Sequence, residues 1–264
     1  MDQARTQGPT SRAWQLAIDE LVLARLIHPR AITPLRLLGL VYEARGEVRK
    51  AEHQYEQALA LSPDDTALLD GLARMASARG DDTAAERALR RATEITPQDW
   101  TAHQNLGVLL LRLGRAGEAE DALRRAAGLA PREEAAPQAA LAEVFLQQGR
   151  PALALAQAEL ALRIEPSAYH WFLDGRCLLE VGDRRRAEAA FYQAILLDPG
   201  FFMARGALGL IFAQRGDYRQ AVEAFQAVLE RDPGNEAARV NLRQAEALLA
   251  AAEQTGAPGA GSAP

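Results

Sequence analysis

Seven prolines, Pro29, Pro63, Pro97, Pro131, Pro166, Pro199 and Pro233, divide the chain at intervals of 34, 34, 34, 35, 33 and 34 residues. A period of that length marks one supersecondary unit copied along the chain. Other residues keep the same beat. Gly46, Gly80, Gly114, Gly149, Gly182 and Gly216 stand about halfway through each copy, where a first helix must end in a left-handed residue that glycine adopts without steric strain. Seven residues earlier come Gly39, Ala73, Gly107, Ala142, Gly175 and Gly209, and in the second half Ala51, Ala85, Ala119, Ala154, Ala187 and Ala221. These small residues let two helices approach. Against them stand Leu38, Leu72, Leu106, Leu141 and Leu208 on the first helices, and Tyr55, Leu89, Leu123, Phe191 and Phe225 on the second. Small beside large at fixed spacing predicts interdigitated packing, and each proline stops the second helix. The pattern predicts an all-α chain whose core is built from neighbour contacts.

The stretch Leu35 to Pro63 shows one copy in full: Leu38-Gly39, then Tyr42, Gly46, Ala51, Tyr55, Ala58 and the closing Pro63. It resembles the tetratricopeptide repeat, a helix-turn-helix unit of about 34 residues. The resemblance implies a right-handed superhelical solenoid. Six repeats are expected at about 32–65, 66–99, 100–134, 135–167, 168–201 and 202–235, together covering 31–235. Residues 11–30 read as a half repeat, with Ser11 as N-cap and Ala17, Leu21 and Ala24 at second-helix places. Residues 236–253 read as a C-terminal capping helix, with Arg239, Arg243 and Glu246 outward and Leu242, Leu248 and Leu249 toward the last repeat. Residues 1–10 and 254–264 lack an apolar period and are expected to be disordered.

Three places depart from the pattern. The fourth repeat starts one residue late, near Pro137, and carries Ala158 where a large second-helix residue is expected, a thinner contact. The fifth carries Asp174 in place of leucine. A carboxylate left buried and unpaired is costly, so Asp174 is expected to tilt outward or to pair with an arginine such as Arg176.

Net charge −5 and a pI near 5.5 argue against nucleic acid and anionic membranes as partners, since those need a concentrated basic face. Lys50 is the single lysine among 30 basic residues, a usage that suggests a GC-rich bacterial genome. One cysteine, Cys177, excludes an intrachain disulfide and is expected to be a buried small hydrophobe. No secretion signal and no membrane-length apolar run is visible. The expected location is cytoplasmic, or periplasmic or anchored if a signal precedes this sequence.

No catalytic motif is present. His28, His53, His103 and His170 fall in different repeats without metal-ligand spacing and are expected at the surface or groove edge. No nucleophile elbow, phosphate loop or dinucleotide fingerprint occurs. The acidic pairs Asp64-Asp65, Asp81-Asp82 and Glu133-Glu134 suit helix N-termini, and Arg184-Arg185-Arg186 suits a solvated turn. The sequence therefore predicts no enzyme activity, no cofactor and no metal.

The resemblance also implies where a partner binds, because in that family the first helices line a concave groove. Carried over place by place, the first three repeats offer Arg36, Asp70, Arg74, Gln104 and Arg112 among polar neighbours. The last three offer Ala139, Glu143, Leu146, Tyr169, Phe172, Arg176, Leu179, Met203 and Leu210, an apolar and aromatic set. Tyr169 and Phe172 are expected to point into the groove, whereas Trp171 is expected in the core. The lysine and asparagine pattern that clamps chaperone C-termini is absent. The leading expectation is a non-enzymatic scaffold holding a peptide or helix of a partner protein, chiefly through repeats four to six. Self-association and a recruiting arm of an enzyme complex are the alternatives.

Overall fold

The computed structural model describes residues 11–255; of the disorder expected for 1–10 and 254–264, all but Gln254 and Thr255, which continue the last helix, lies outside those residues. Among the described residues there are fourteen helices and no strands. They fall into two compact units that divide between Ala130 and Pro131. The N-terminal unit holds α1 (Ser11–Ile27), α2 (Ile32–Ala44), α3 (Val48–Leu61), α4 (Thr66–Ala78), α5 (Asp82–Ile95), α6 (Trp100–Arg112) and α7 (Ala116–Leu129). The C-terminal unit holds α8 (Ala136–Gln147), α9 (Pro151–Ile164), α10 (Ala168–Glu180), α11 (Arg184–Leu197), α12 (Phe202–Arg215), α13 (Tyr218–Arg231) and α14 (Glu236–Thr255). Each unit is all-α and made of stacked helical hairpins. In the first, α2 pairs with α3, α4 with α5 and α6 with α7, and α1 leans on α2. In the second, α8 pairs with α9, α10 with α11, α12 with α13, and α14 closes on α13. First helices also meet one another, α2 with α4 and α4 with α6, then α8 with α10 and α12 with α14.

The turns explain why the hairpins form. At the end of α2, Gly46 adopts φ 71°. The amide of Gly46 then donates to the Glu43 carbonyl at 2.8 Å and that of Glu47 to the Tyr42 carbonyl at 2.8 Å. This pair of bonds satisfies carbonyls a helix end leaves open and reverses the chain. The acidic turn residues then start the next helices. Asp65 accepts from the amides of Ala67 and Leu68, Asp81 from that of Ala84, and Asp183 from that of Arg186.

Packing follows the small-large alternation. Tyr55 is 1% exposed and lies between two glycines: a Cβ on Gly39 would collide with its ring, and one on Gly71 would come within 2.9 Å. Gly107 receives Leu123 and Gly175 receives Phe191 in the same way. Burying one such side chain contributes about 2 kcal/mol or more. In α9 the thin place at Ala158 is answered from the next helix. Counted from the first residue of each helix, the place of Gly71 in α4 is held in α10 by Leu173, and both Ala158 and Leu173 are fully buried.

Asp174 corrects one expectation. It neither tilts outward nor pairs with Arg176 but is 4% exposed, and its Oδ1 has no hydrogen-bond partner. Burial first, and the nearby Glu159 carboxylate second, push its pKa up to about 6, with Arg186 acting in the opposite sense. Helix α14 supplies another correction. Its inner side is a row of small residues, Ala238, Ala245 and Ala252, with Leu242 half-buried beside it, whereas Leu248 is exposed rather than turned toward the last repeat.

Candidate functional site

In the N-terminal unit the first helices bring three predicted residues, Asp70, Arg74 and Arg112, into one polar network or beside it. Tyr55 Oη donates to Glu43 Oε2 at 2.7 Å, and Arg74 grips the same carboxylate with Nε at 2.6 Å and Nη2 at 3.0 Å. Arg74 also bonds Asp70, whose other oxygen accepts from Asn105. One turn further along, Arg112 reaches Ser77 Oγ at 3.1 Å and the Asp82 carboxylate. The hydrogen bonds from Arg74, then that from Tyr55, hold Glu43 below the usual carboxylate range against the opposing effect of burial. Arg74, bonded to Glu43, is held firmly protonated. Asp70, Arg74, Ser77, Asn105 and Arg112, with the apolar Ala73, Leu89, Val108 and Leu109, line a pocket of about 560 Å³. Both arginines are already neutralised by carboxylates of the chain, so this surface presents shaped polarity rather than free positive charge. Gln104 is half-buried on α6, and Arg36 is exposed on α2 outside that pocket.

The C-terminal unit offers a different surface. Glu143 on α8 accepts from Tyr169 Oη at 3.1 Å and from Arg176 Nη1 at 3.3 Å, linking α8 to α10. Burial, and next the Glu143 charge, push the Tyr169 phenol above its usual range, so it stays a neutral donor. Around this one polar knot the surface is apolar. Tyr169 is 36% exposed, Met203 42% and Leu210 46%, while Leu146 and Leu179 are half-buried. The same places on α14 hold Ala237, Val240, Gln244, Ala247 and Leu248, all exposed. Sequence reasoning missed these α14 residues because Arg239, Arg243 and Glu246 made the helix read as a polar cap. Counting from Pro233 as from the earlier prolines would have found them. Exposed, aligned aliphatics of this kind suit a partner's apolar stripe.

Several predicted placements change. Phe172 is half-buried at the edge of the core, its ring centroid 5.5 Å from Phe201 and 5.9 Å from Phe191, with the Arg176 guanidinium 5.7 Å from its own ring. It therefore supports the surface more than it forms it. Ala139 is 3% exposed and belongs to the core. Trp171 is half-buried against the same core cluster. Two of the four histidines are not at the surface at all: His103 is 5% and His170 6% exposed. Each rings back to a main-chain carbonyl of the preceding turn, His103 Nε2 to Pro97 at 3.0 Å and His170 Nδ1 to Glu165 at 2.6 Å. They lock the turn before a first helix. Cys177 is fully buried, and burial pushes its thiol up to about 12, as fits an inert apolar filler. Among the described residues no group of His, Cys, Asp and Glu could hold a metal ion, and no helix is long and apolar enough to cross a membrane.

Comparison with known proteins agrees with this architecture. No curated protein matches the chain. Among solved structures, a chain of the APC/C hetero-tetramer Cut9-Hcn1 superposes with a TM-score of 0.76 at 18% identity over 89% of this chain, which spans 46% of that one. The structure described as pilF of Pseudomonas aeruginosa gives a TM-score of 0.67 at 18% identity, covering 89% of this chain and 98% of that one. YrrB, described as a TPR protein with an unusual peptide-binding site, gives 0.55 at 18% identity, covering 71% of this chain and 96% of its own. At such identities the likeness is one of fold. A family profile described as tetratricopeptide repeat matches residues 105–169, 172–236 and 207–263, and a second of the same description matches 42–109. The chain belongs to the tetratricopeptide repeat family.

Proposed function

We propose that the chain is a non-enzymatic scaffold that holds a helix or peptide of a partner protein along the first-helix face of its C-terminal unit. Tetratricopeptide repeats are in general protein-protein interaction modules. The observation that carries the finer reading is the exposed row of Tyr169, Met203, Leu210, Val240 and Leu248 on α10, α12 and α14, beside the Glu143–Arg176 pair. Large apolar side chains left exposed on the corresponding faces of successive first helices cost solubility unless something covers them, and a helix presents anchors at i, i+3, i+4 and i+7 to such a groove. The N-terminal pocket around Asp70, Arg74 and Arg112 adds polar contacts for the same kind of segment. Arg36 and Gln104 are proposed to add partner contacts on the N-terminal unit, and Leu146 and Leu179 on the C-terminal unit, in a chain proposed to work in the cytoplasm of a bacterium.

The experiment is affinity capture from the source cell's lysate with wild type beside Met203→Glu/Leu210→Glu, with folding of both checked by circular dichroism. One heterologous protein retained by wild type and lost by the equally folded variant supports the groove. Equal retention by both would sink it.

A further inference from the structure

We propose that Asp174, Glu159 and Arg186 form a pH-operated clasp between α9, α10 and α11. With Asp174 protonated, Arg186 ties α11 to α9 through Glu159. With Asp174 ionised, Arg186 turns inward to Asp174 and releases Glu159. The clasp is independent of the groove, where Glu143, the charge that α8 brings to α10, is occupied by Tyr169 and Arg176.

Asp174 is buried where other first helices carry leucine, and its Oδ1 has no partner. The helices beside it offer no donor from within. The buried residues of α9 are Ala154, Ala158 and Ala161, and those of α11 are three alanines and Phe191. On α10 itself, burial first and Asp174 second hold the Cys177 thiol up at about 12, so it stays neutral. The charge acting on Asp174 from α9 is Glu159, which opposes ionisation, and the charge from α11 is Arg186, which favours it. Arg186 is committed elsewhere. Its Nη2 bonds Glu159 Oε1 at 3.0 Å, and its Nε lies 4.0 Å from Asp183, whose carboxylate caps α11.

A buried carboxylate without a donor stays neutral, because an unpaired buried charge is costly. Ionisation of Asp174 therefore calls for a cation, and Arg186 already acts on it from a long side chain that is 57% exposed. The bond it would give up is weak, since an ion pair facing solvent contributes little, and the freed Glu159 is hydrated. A strong demand inside against a weak bond outside sets the direction of the exchange. Burial, and next the Glu159 charge, move the change to about 6.

The test follows the side-chain carboxyls of the full chain by NMR across pH, with Asp174 assigned against Asp174→Asn. In wild type Asp174 is expected to titrate near 6. Arg186→Gln is expected to raise that midpoint and Glu159→Gln to lower it, opposite shifts that a general loss of stability does not produce. The Glu159 carboxyl reports the arginine's departure. Besides its own titration it is expected to show a second inflection at the Asp174 midpoint, absent from Asp174→Asn and from Arg186→Gln. Circular dichroism verifies folding, and Asp174→Leu replaces Asp174→Asn if the amide does not fold. An Asp174 midpoint in the ordinary carboxylate range overturns the proposal, as do midpoints that the two neighbouring variants leave in place. So does a Glu159 trace without the second inflection, or one that keeps it in Arg186→Gln, where only the bare charge of Asp174 remains to be felt.

Discussion

Asp174 occupies the place that Leu38, Leu72, Leu106, Leu141 and Leu208 fill in the other first helices, and the chain buries it there. Its pKa is raised from 3.8 to about 6, so folding favours the protonated acid. The sign follows: below 3.8 folded and unfolded chains both bind the proton and the position is neutral. As pH rises toward 6 the unfolded chain ionises first and stability falls by on the order of 2–3 kcal/mol. Asp174→Leu is expected to raise the melting temperature at neutral pH, with a gain over wild type that shrinks on acidification through that window. Thermal melts of both proteins across pH check it, and parallel curves would refute the burial argument. At the same scale Cys177 is expected to resist alkylation in the folded protein and to react fully once denaturant is added, measured by thiol titration. The sequence made Cys177 legible because its neighbours in register are aliphatic. It did not make His103 or His170 legible, because a histidine that bonds a main-chain carbonyl leaves no spacing pattern behind. Asp174 was visible as an exception, but whether a side chain escapes depends on packing from α9 and α11 that one register cannot report.

Helices pair through contacts that differ in kind from glycine to glycine. A Cβ on Gly107 would drive into Leu123, so Gly107→Leu is expected to cost about 1–3 kcal/mol or more by overpacking. Gly46 faces open space but has φ 71°, so Gly46→Ala is expected to cost only about 1–2 kcal/mol, through the backbone alone. Urea unfolding of the two variants separates the cases. Both roles were legible from spacing, since the turn place holds glycine in all six repeats and the close-approach place holds glycine or alanine. The apolar face of α14 was not, because among the described residues no helix follows it to show which of its sides is covered. Leu248 was expected inside and is exposed, while Ala238, Ala245 and Ala252 do the packing against the last hairpin. Phe172 was expected outside and is drawn half inward by Phe191 and Phe201.

Over the whole molecule, stability and the proposed partner contact fall on different residues. Met203 and Leu210 are exposed, so Met203→Glu/Leu210→Glu is expected to shift the melting temperature little while abolishing partner capture, whereas Phe172→Ala is expected to lower it by disturbing the Phe191 cluster. Differential scanning calorimetry beside the capture assay distinguishes these. The exchange of bulk between α9 and α10 reaches further. At the α3–α4 and α11–α12 junctions the second helix supplies the large residue and the next first helix the small one, Tyr55 with Gly71 and Phe191 with Ala207, but at α9–α10 Ala158 meets a helix bearing Leu173. Hairpins that share one template can be duplicated, deleted or exchanged by recombination with little penalty at the new junction. The α9–α10 junction has lost that freedom. A hairpin copied in between would face Ala158 with a side chain too small to fill the gap, and would crowd Leu173 with one too large. Growth of this array by tandem duplication is therefore open at its regular junctions and closed at this one.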